Sequence, residues 1–236
     1  MCSIYNIEMV SKLAEKYLLD ILEKAVKHGD SCEIQNVFKN NNFAVENLNV
    51  VISKVGNIIY SCQSNLPGFE ITIQNILKVL LDLIQVTEFN FTQSVYLTRL
   101  LLNIATDQSC TINIMKGAIP AVNHFLQNSS IAQSILNDES LEGTIQILGR
   151  SIPYIGDYEC QVLLLETLYR ITENGNRRQW AKVWFQDMQT RSLFLNMNPN
   201  SFELQSRRAL NYINKKEVEC RVFSFVAKTV KFGDVW

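Results

Sequence analysis

Apolar side chains return every three or four positions along most of this chain, the period of a helix with one buried face, and no run shows the strict alternation of a half-buried strand. The first stripe runs from Tyr5 to Lys27 through Val10, Leu13, Ala14, Tyr17, Leu18, Ile21, Leu22 and Ala25, and stops at His28-Gly29. Asp30, three before Glu33, has the spacing of a capping box and predicts a short helix that frays at Asn40-Asn41-Asn42. Val45 to Cys62 predicts a third helix, after which Asn65-Leu66-Pro67-Gly68 breaks the chain. Ile71 to Val86 is apolar almost all round, as a central helix covered on several sides would be. The pattern then predicts helices over Phe91 to Thr106, Thr111 to Lys116, Ala118 to Leu126 and Asp138 to Ser151. Asp157 is placed to cap Tyr158 to Thr172, which packs through Val162, Leu165, Leu168, Tyr169 and Ile171 and ends at Asn174-Gly175-Asn176. Arg177 to Phe185, Ser201 to Ile213 and Val218 to Val230 complete the series.

The stretch Leu100 to Gln127 resembles the seam between two armadillo repeats. Leu-x-Asn-Ile-Ala ends one helix, a polar turn follows, and a second helix closes on Gly117-Ala118-Ile119-Pro120 before a third begins. The expected fold is all-α, an armadillo/HEAT-like helical repeat solenoid forming a single domain over residues 1–236, in which each layer covers its neighbour's apolar face. Placing Leu101, Asn103, Ile104 and Ala105 over Leu168, Arg170, Ile171 and Thr172 suggests an internal offset of 67 residues.

Composition agrees with long helices: 47% of residues are hydrophobic, and 4 prolines with 9 glycines are too few for the turns of a sandwich or barrel. The net charge of −1 hides an asymmetry, because residues 1–175 hold 11 Lys+Arg against 18 Asp+Glu while residues 176–236 hold 11 against 5. Poles of −7 and +6 would attract an acidic partner at the C-terminal end, or a second copy head to tail; a solvated helix surface gives the same composition. The 6 cysteines form no C-x-x-C pair and have no histidine to complete a zinc quartet, so reduced, mostly buried thiols are expected. Neither a signal peptide nor a membrane-length apolar run is present, and an intracellular, soluble chain is expected. The glycosylation patterns at Asn90 and Asn128 then read as accidental.

Catalysis finds little support. The two histidines, His28 and His124, each stand alone on an expected helix, and no nucleotide-binding, zinc-protease, nucleophile-elbow or calcium-loop motif occurs. No catalytic residue, metal, cofactor, small-molecule substrate or membrane partner is expected. Asn103 carries a sharper reading, since the amide of the armadillo Leu-x-Asn-Ile-Ala motif offers a donor and an acceptor to the backbone of an extended peptide. The plainer reading is that Asn103 caps a turn or bonds a neighbouring loop. Trp180 and Trp184, four apart beside Arg177 and Arg178, suggest either nucleic-acid stacking or one packing stripe with Phe185, and the helical spacing favours packing. If the last helices stack, Arg207-Arg208 and Lys215-Lys216 join Arg177-Arg178 in one positive surface for an acidic protein segment, with a weak chromatin contact through this basic C-terminal end.

The second half is more particular. Gly156 to Thr172 (GDYECQVLLLETLYRIT), Asn176 to Phe185 (NRRQWAKVWF) and Ser201 to Asn214 (SFELQSRRALNYIN) resemble, in order and spacing, the N-terminal domain of the synaptonemal complex protein 2 family. The resemblance covers roughly residues 138–236, with residues 1–137 similar only as a general helical repeat. It implies an armadillo-like N-terminal module of a longer, nuclear meiotic chromosome-axis protein. Such a module would be a non-enzymatic lateral-element scaffold on meiotic chromosomes, with chromosome-axis or centromere proteins as partners. The alternative is a general armadillo-type adaptor that binds extended peptides in a concave groove.

Overall fold

Short polar side chains set where the helices begin. Asn90, Thr111, Asp157 and Asp187 each accept the backbone N–H three residues on, and Asn128 accepts that of Ser130, so each satisfies an amide that the first helical turn leaves unpaired. At Asn90 the cap is reciprocal, with Gln93 accepting from the Asn90 N–H at 3.0 Å. The computed structural model describes residues 69–216 apart from 87, 108–109 and 173–175, together with 16–17, 19–28, 32–33, 36, 49, 52–57 and 222–225. Residues 16–17, 19–28 and 52–57 are helical, and the elements that follow are α1 (Phe69–Ile84), α2 (Phe91–Thr106), α3 (Ile112–Phe125), α4 (Ser129–Leu136), α5 (Glu142–Ser151), α6 (Tyr158–Ile171), α7 (Arg177–Trp184), α8 (Met188–Leu195) and α9 (Phe202–Lys216). Tight 3-10 turns at Glu139–Leu141, Ile152–Tyr154 and Pro199–Ser201 join some of them. Among the described residues there is no strand, so the fold is all-α.

Helices stack at a regular separation. α3 packs against α1, α2 and α6, and α6 packs in turn against α3, α4, α5 and α9. The starts of α1, α3, α6 and α9 at 69, 112, 158 and 202 put successive partners 43 to 46 residues apart. Contacts between these layers have a similar spacing, 41 to 45 residues: the Thr111 hydroxyl donates to Glu70 at 2.8 Å, the Thr167 hydroxyl to Asn123 at 2.7 Å, and the Cys160 thiol lies 3.6 Å from the Met115 sulfur. One contiguous core runs through these layers from Ile21 to Ile213.

Several expectations need correction. Thr111 to Lys116 and Ala118 to Leu126 are one helix, α3, with Gly117 and Pro120 inside it. Propensity predicts a break there, but Ala118, Ile119, Ala121 and Val122 are all at 0% exposure, and burial of this face outweighs the local cost. Gly117 serves close packing, since a Cβ would lie 3.0 Å from Leu77 Cδ1. Asp138 to Ser151 divides into the 3-10 turn and α5, and α4 and α8 are helices that the apolar pattern did not suggest. Val222 to Phe225, inside the helix expected over Val218 to Val230, are not helical. The helix starts within Tyr5 to Lys27 and at Asp30, and most of Val45 to Cys62, lie outside the described residues. Helices stack at 43 to 46 residues, so the 67-residue offset is not the layer interval.

The Trp180–Trp184 pair is a packing stripe. The rings stack at 5.4 Å, Trp184 meets Phe194 edge-on at 5.7 Å, and its indole N–H donates to Ile145 O at 3.1 Å. Gly149 of α5 leaves the space into which this ring fits, for a Cβ there would fall inside the indole. Gly149→Ala is therefore expected to destabilise by about 1–3 kcal/mol through overpacking, against the usual helix preference for alanine. Gly143→Ala, on the same helix with open space around it, should stabilise by roughly 0.5–1 kcal/mol. Urea unfolding of the two variants checks the opposite signs.

Candidate interaction surface

The sequence places its candidate cations on α7 and α9, and the packing separates them. α9 runs antiparallel to α6: Phe202 packs on Tyr169 at 5.5 Å near one end, while Asn214 pairs with Gln161 near the other. With a rise of ~1.5 Å per residue, Phe202 and Lys216 lie about 21 Å apart. Arg177 belongs to the Tyr169 end and Lys216 to the opposite one.

Half of the six cations have work within the fold. Arg177 lies 3.8 Å over the Tyr169 ring and donates to Tyr169 O at 3.1 Å, closing the C-terminus of α6. Arg207 pairs with Glu203 at 2.7 Å, and Lys216 with Asp187 at 2.7 Å and the Tyr212 ring at 4.6 Å. Arg178, Arg208 and Lys215 are exposed, and no described carboxylate pairs with them.

Asn103 is exposed on α2, and its oxygen accepts from the Thr144 hydroxyl of α5 at 3.3 Å. Arg170, its counterpart in the 67-residue offset, is tied to Glu166 at 2.6 Å. The Asn211 amide of α9 bonds both backbone groups of one residue. It donates to Ser224 O at 2.7 Å and accepts from Ser224 N at 3.0 Å.

Asp187 joins α8 to α9. The Lys216 ammonium first, then the Thr190 N–H at 2.7 Å and hydroxyl at 2.8 Å, hold its carboxyl down to about 2. Because this lies below the unfolded value of about 3.9, its stabilisation is complete above the unfolded value and is lost as pH falls toward 2. Asp187→Asn keeps a cap acceptor but loses the charge. The wild-type chain should therefore have the higher urea midpoint at pH 6, and the two should converge near pH 2.

Other ionisable groups serve the core. Burial first, then Cys160 and Asp107, pushes the Cys110 thiol up to about 12; burial and Asp157 push Cys160 up to about 11, so both stay protonated at neutral pH. Cys2, Cys62 and Cys220 lie outside the described residues. A cleft of 820 Å³ between α1, α2 and the α3–α4 corner holds Ser94, His124 and Glu88, residue types that acyl transfer uses. Ser94 is turned away from such a role, its hydroxyl donating to Asn90 O at 2.9 Å, and no described hydrogen bond links the three side chains. Among the described residues no three His, Cys, Asp or Glu side chains are placed to hold a metal ion, and no helix is long and apolar enough to cross a membrane.

The described residues define the class, an all-helical protein of helices packed on one continuous core. No family model matches the chain. It is 34% identical over 79 residues to "Synaptonemal complex protein 2-like" of Mus musculus, covering 33% of this chain and 9% of that protein. It is 27% identical over 113 residues to "Synaptonemal complex protein 2" of Homo sapiens, covering 48% and 7%. A solved structure titled "Synaptonemal complex protein" shares the fold at a TM-score of 0.60 and 19% identity, covering 88% of this chain and 59% of that one. The chain is related to the synaptonemal complex protein 2 family, and it spans less than a tenth of the curated relatives' length.

Proposed function

We propose that this chain is a protein-interaction scaffold module of a meiotic chromosome-axis protein, built as one armadillo-like solenoid and without enzymatic activity. The relation to the synaptonemal complex protein 2 family carries this reading. The 43 to 46 residue interval between stacked helices supports the solenoid, since it lies within the range of such repeats. In this reading the module works in the nucleus, on the lateral elements of meiotic chromosomes, and binds other axis or centromere proteins. Arg208 and Lys215 on α9, with Arg178 apart from them on α7, supply exposed positive charge to which acidic protein segments and, more weakly, chromatin are attracted.

The test is recovery of the tagged chain from meiotic cells. The wild-type chain should enrich chromosome-axis proteins, and Arg178→Glu with Arg208→Glu and Lys215→Glu should reduce the recovery at least about fivefold. Recovery unchanged by the three reversals would remove the basic end from the account. Absence of axis proteins from the wild-type sample would overturn the meiotic reading.

A further inference from the structure

A single residue offers its N–H and C=O to one partner only when its backbone is extended, as in the two-bond pairs of an antiparallel ladder. Ser224 does this with the Asn211 amide, at 3.0 Å and 2.7 Å, so the backbone is extended at Ser224 and residues 222–225, none of them helical, are strapped to α9 there. Both bonds go to backbone atoms, and the seat is therefore indifferent to the side chain at that position. Of its described residues, Phe223 is 51% and Phe225 78% exposed, while Val222 and Ser224 are half-buried. Two hydrogen bonds are in themselves a modest attachment, one that a segment making further contacts can displace.

The surroundings of the seat differ from its occupant. Leu204, Arg208, Asn211 and Lys215 follow one another at four, three and four residues, so they share a stripe of α9. Arg208 and Lys215 flank Asn211 one turn away on either side, both exposed, and no described carboxylate answers them. The strap's described residues, Val222, Phe223, Ser224 and Phe225, carry no acid. An occupant with an acidic side chain on each side of the seated residue would make the same two backbone bonds and two ion pairs besides.

We propose that Asn211, flanked by Arg208 and Lys215, is a binding seat for an acidic extended peptide, closed in cis by the chain's own residues 222–225. The inference names the surface through which the proposed scaffold takes a partner, and in that sense rests on the scaffold reading. It requires the partner segment to displace the strap, so binding and strap release are one equilibrium.

Fluorescence anisotropy with a labelled peptide copying residues 221–227, carrying Val222→Asp and Val226→Asp, tests it on the whole chain. Ser224→Pro removes the N–H that closes the seat and lies outside the helices. This variant should bind the acidic peptide about tenfold more tightly than the wild-type chain. Adding Asn211→Ala should abolish the gain, and adding Arg208→Glu with Lys215→Glu should abolish the preference over the unmodified peptide. Circular dichroism of each variant should show unchanged helix content. Equal binding by wild type and Ser224→Pro, or binding indifferent to Asn211→Ala, would overturn the proposal. Because this assay uses isolated components, its failure is distinct from failure to recover axis proteins from cells.

Discussion

Trp184→Ala is expected to lower the unfolding free energy by about 3–5 kcal/mol, the range for removing a large buried aromatic side chain. Trp184 is 4% exposed and meets Trp180, Phe185 and Phe194 within 6.4 Å, so truncation empties a space bounded by α5, α7 and α8. It also leaves the Ile145 carbonyl without the indole donor. The loss should fall on the last layer, where α7 has little else to hold it: Ala181 is the other buried residue of that helix. Hydrogen exchange should therefore show α7 and α8 losing protection before α3 does. Restoring bulk with Trp184→Phe should recover most of the lost stability. A loss under about 1 kcal/mol in urea unfolding would mean that the stripe is peripheral.

Gln161→Leu is the second large effect, expected at about 1–3 kcal/mol from an orphaned buried polar partner. Gln161 and Asn214 are both at 0% exposure and exchange two amide bonds, 2.8 Å and 2.7 Å, between α6 and α9. Gln161 also donates to Ile152 O at 2.8 Å, which ties the 3-10 turn after α5 to the same pair. Gln161→Leu strands the Asn214 amide in a place water does not reach, and Asn214→Leu strands the Gln161 carbonyl oxygen while leaving its bond to Ile152 O. Asn214→Leu should cost a similar amount, whereas the double variant should cost less than the sum, because no polar group is then stranded. That non-additivity, read from a double-mutant cycle, separates a buried amide pair from two independent packing residues.

How far the fold was legible varies from element to element. Asp157 as a helix cap and the Trp180–Trp184 stripe could be read directly, because capping and helical spacing act over a few residues. α3 is not legible at Gly117 and Pro120, since local propensity points to a stop and only the packing supplied by α1, α2 and α6 decides otherwise. α4 and α8 are eight residues each, too short for a convincing apolar period, although Asn128 and Asp187 do mark their starts. The layer interval was hidden because stacked helices need matching faces and not matching residues. α2 and α6 do share buried positions in the 67-residue offset, Leu101 with Leu168 and Ile104 with Ile171, without being successive layers.

The candidate surface was legible in composition and not in geometry. The basic pairs stood out, but whether Arg177, Arg207 and Lys216 are committed to Tyr169, Glu203 and Asp187 depends on contacts between helices. Asn103 drew attention through its motif, yet it faces Thr144. Asn211 carries no signal in the sequence, because its partner, Ser224, lies 13 residues away in a run whose apolar pattern predicts helix.

The account depends most on the chain acting as part of the meiotic chromosome axis. The most direct measurement is fluorescence imaging of the native protein, tagged at its own locus, on spread meiotic chromosomes. Continuous lines of signal coincident with the chromosome axes are the predicted result. Signal spread through the nucleoplasm or confined to the cytoplasm at every meiotic stage would contradict it.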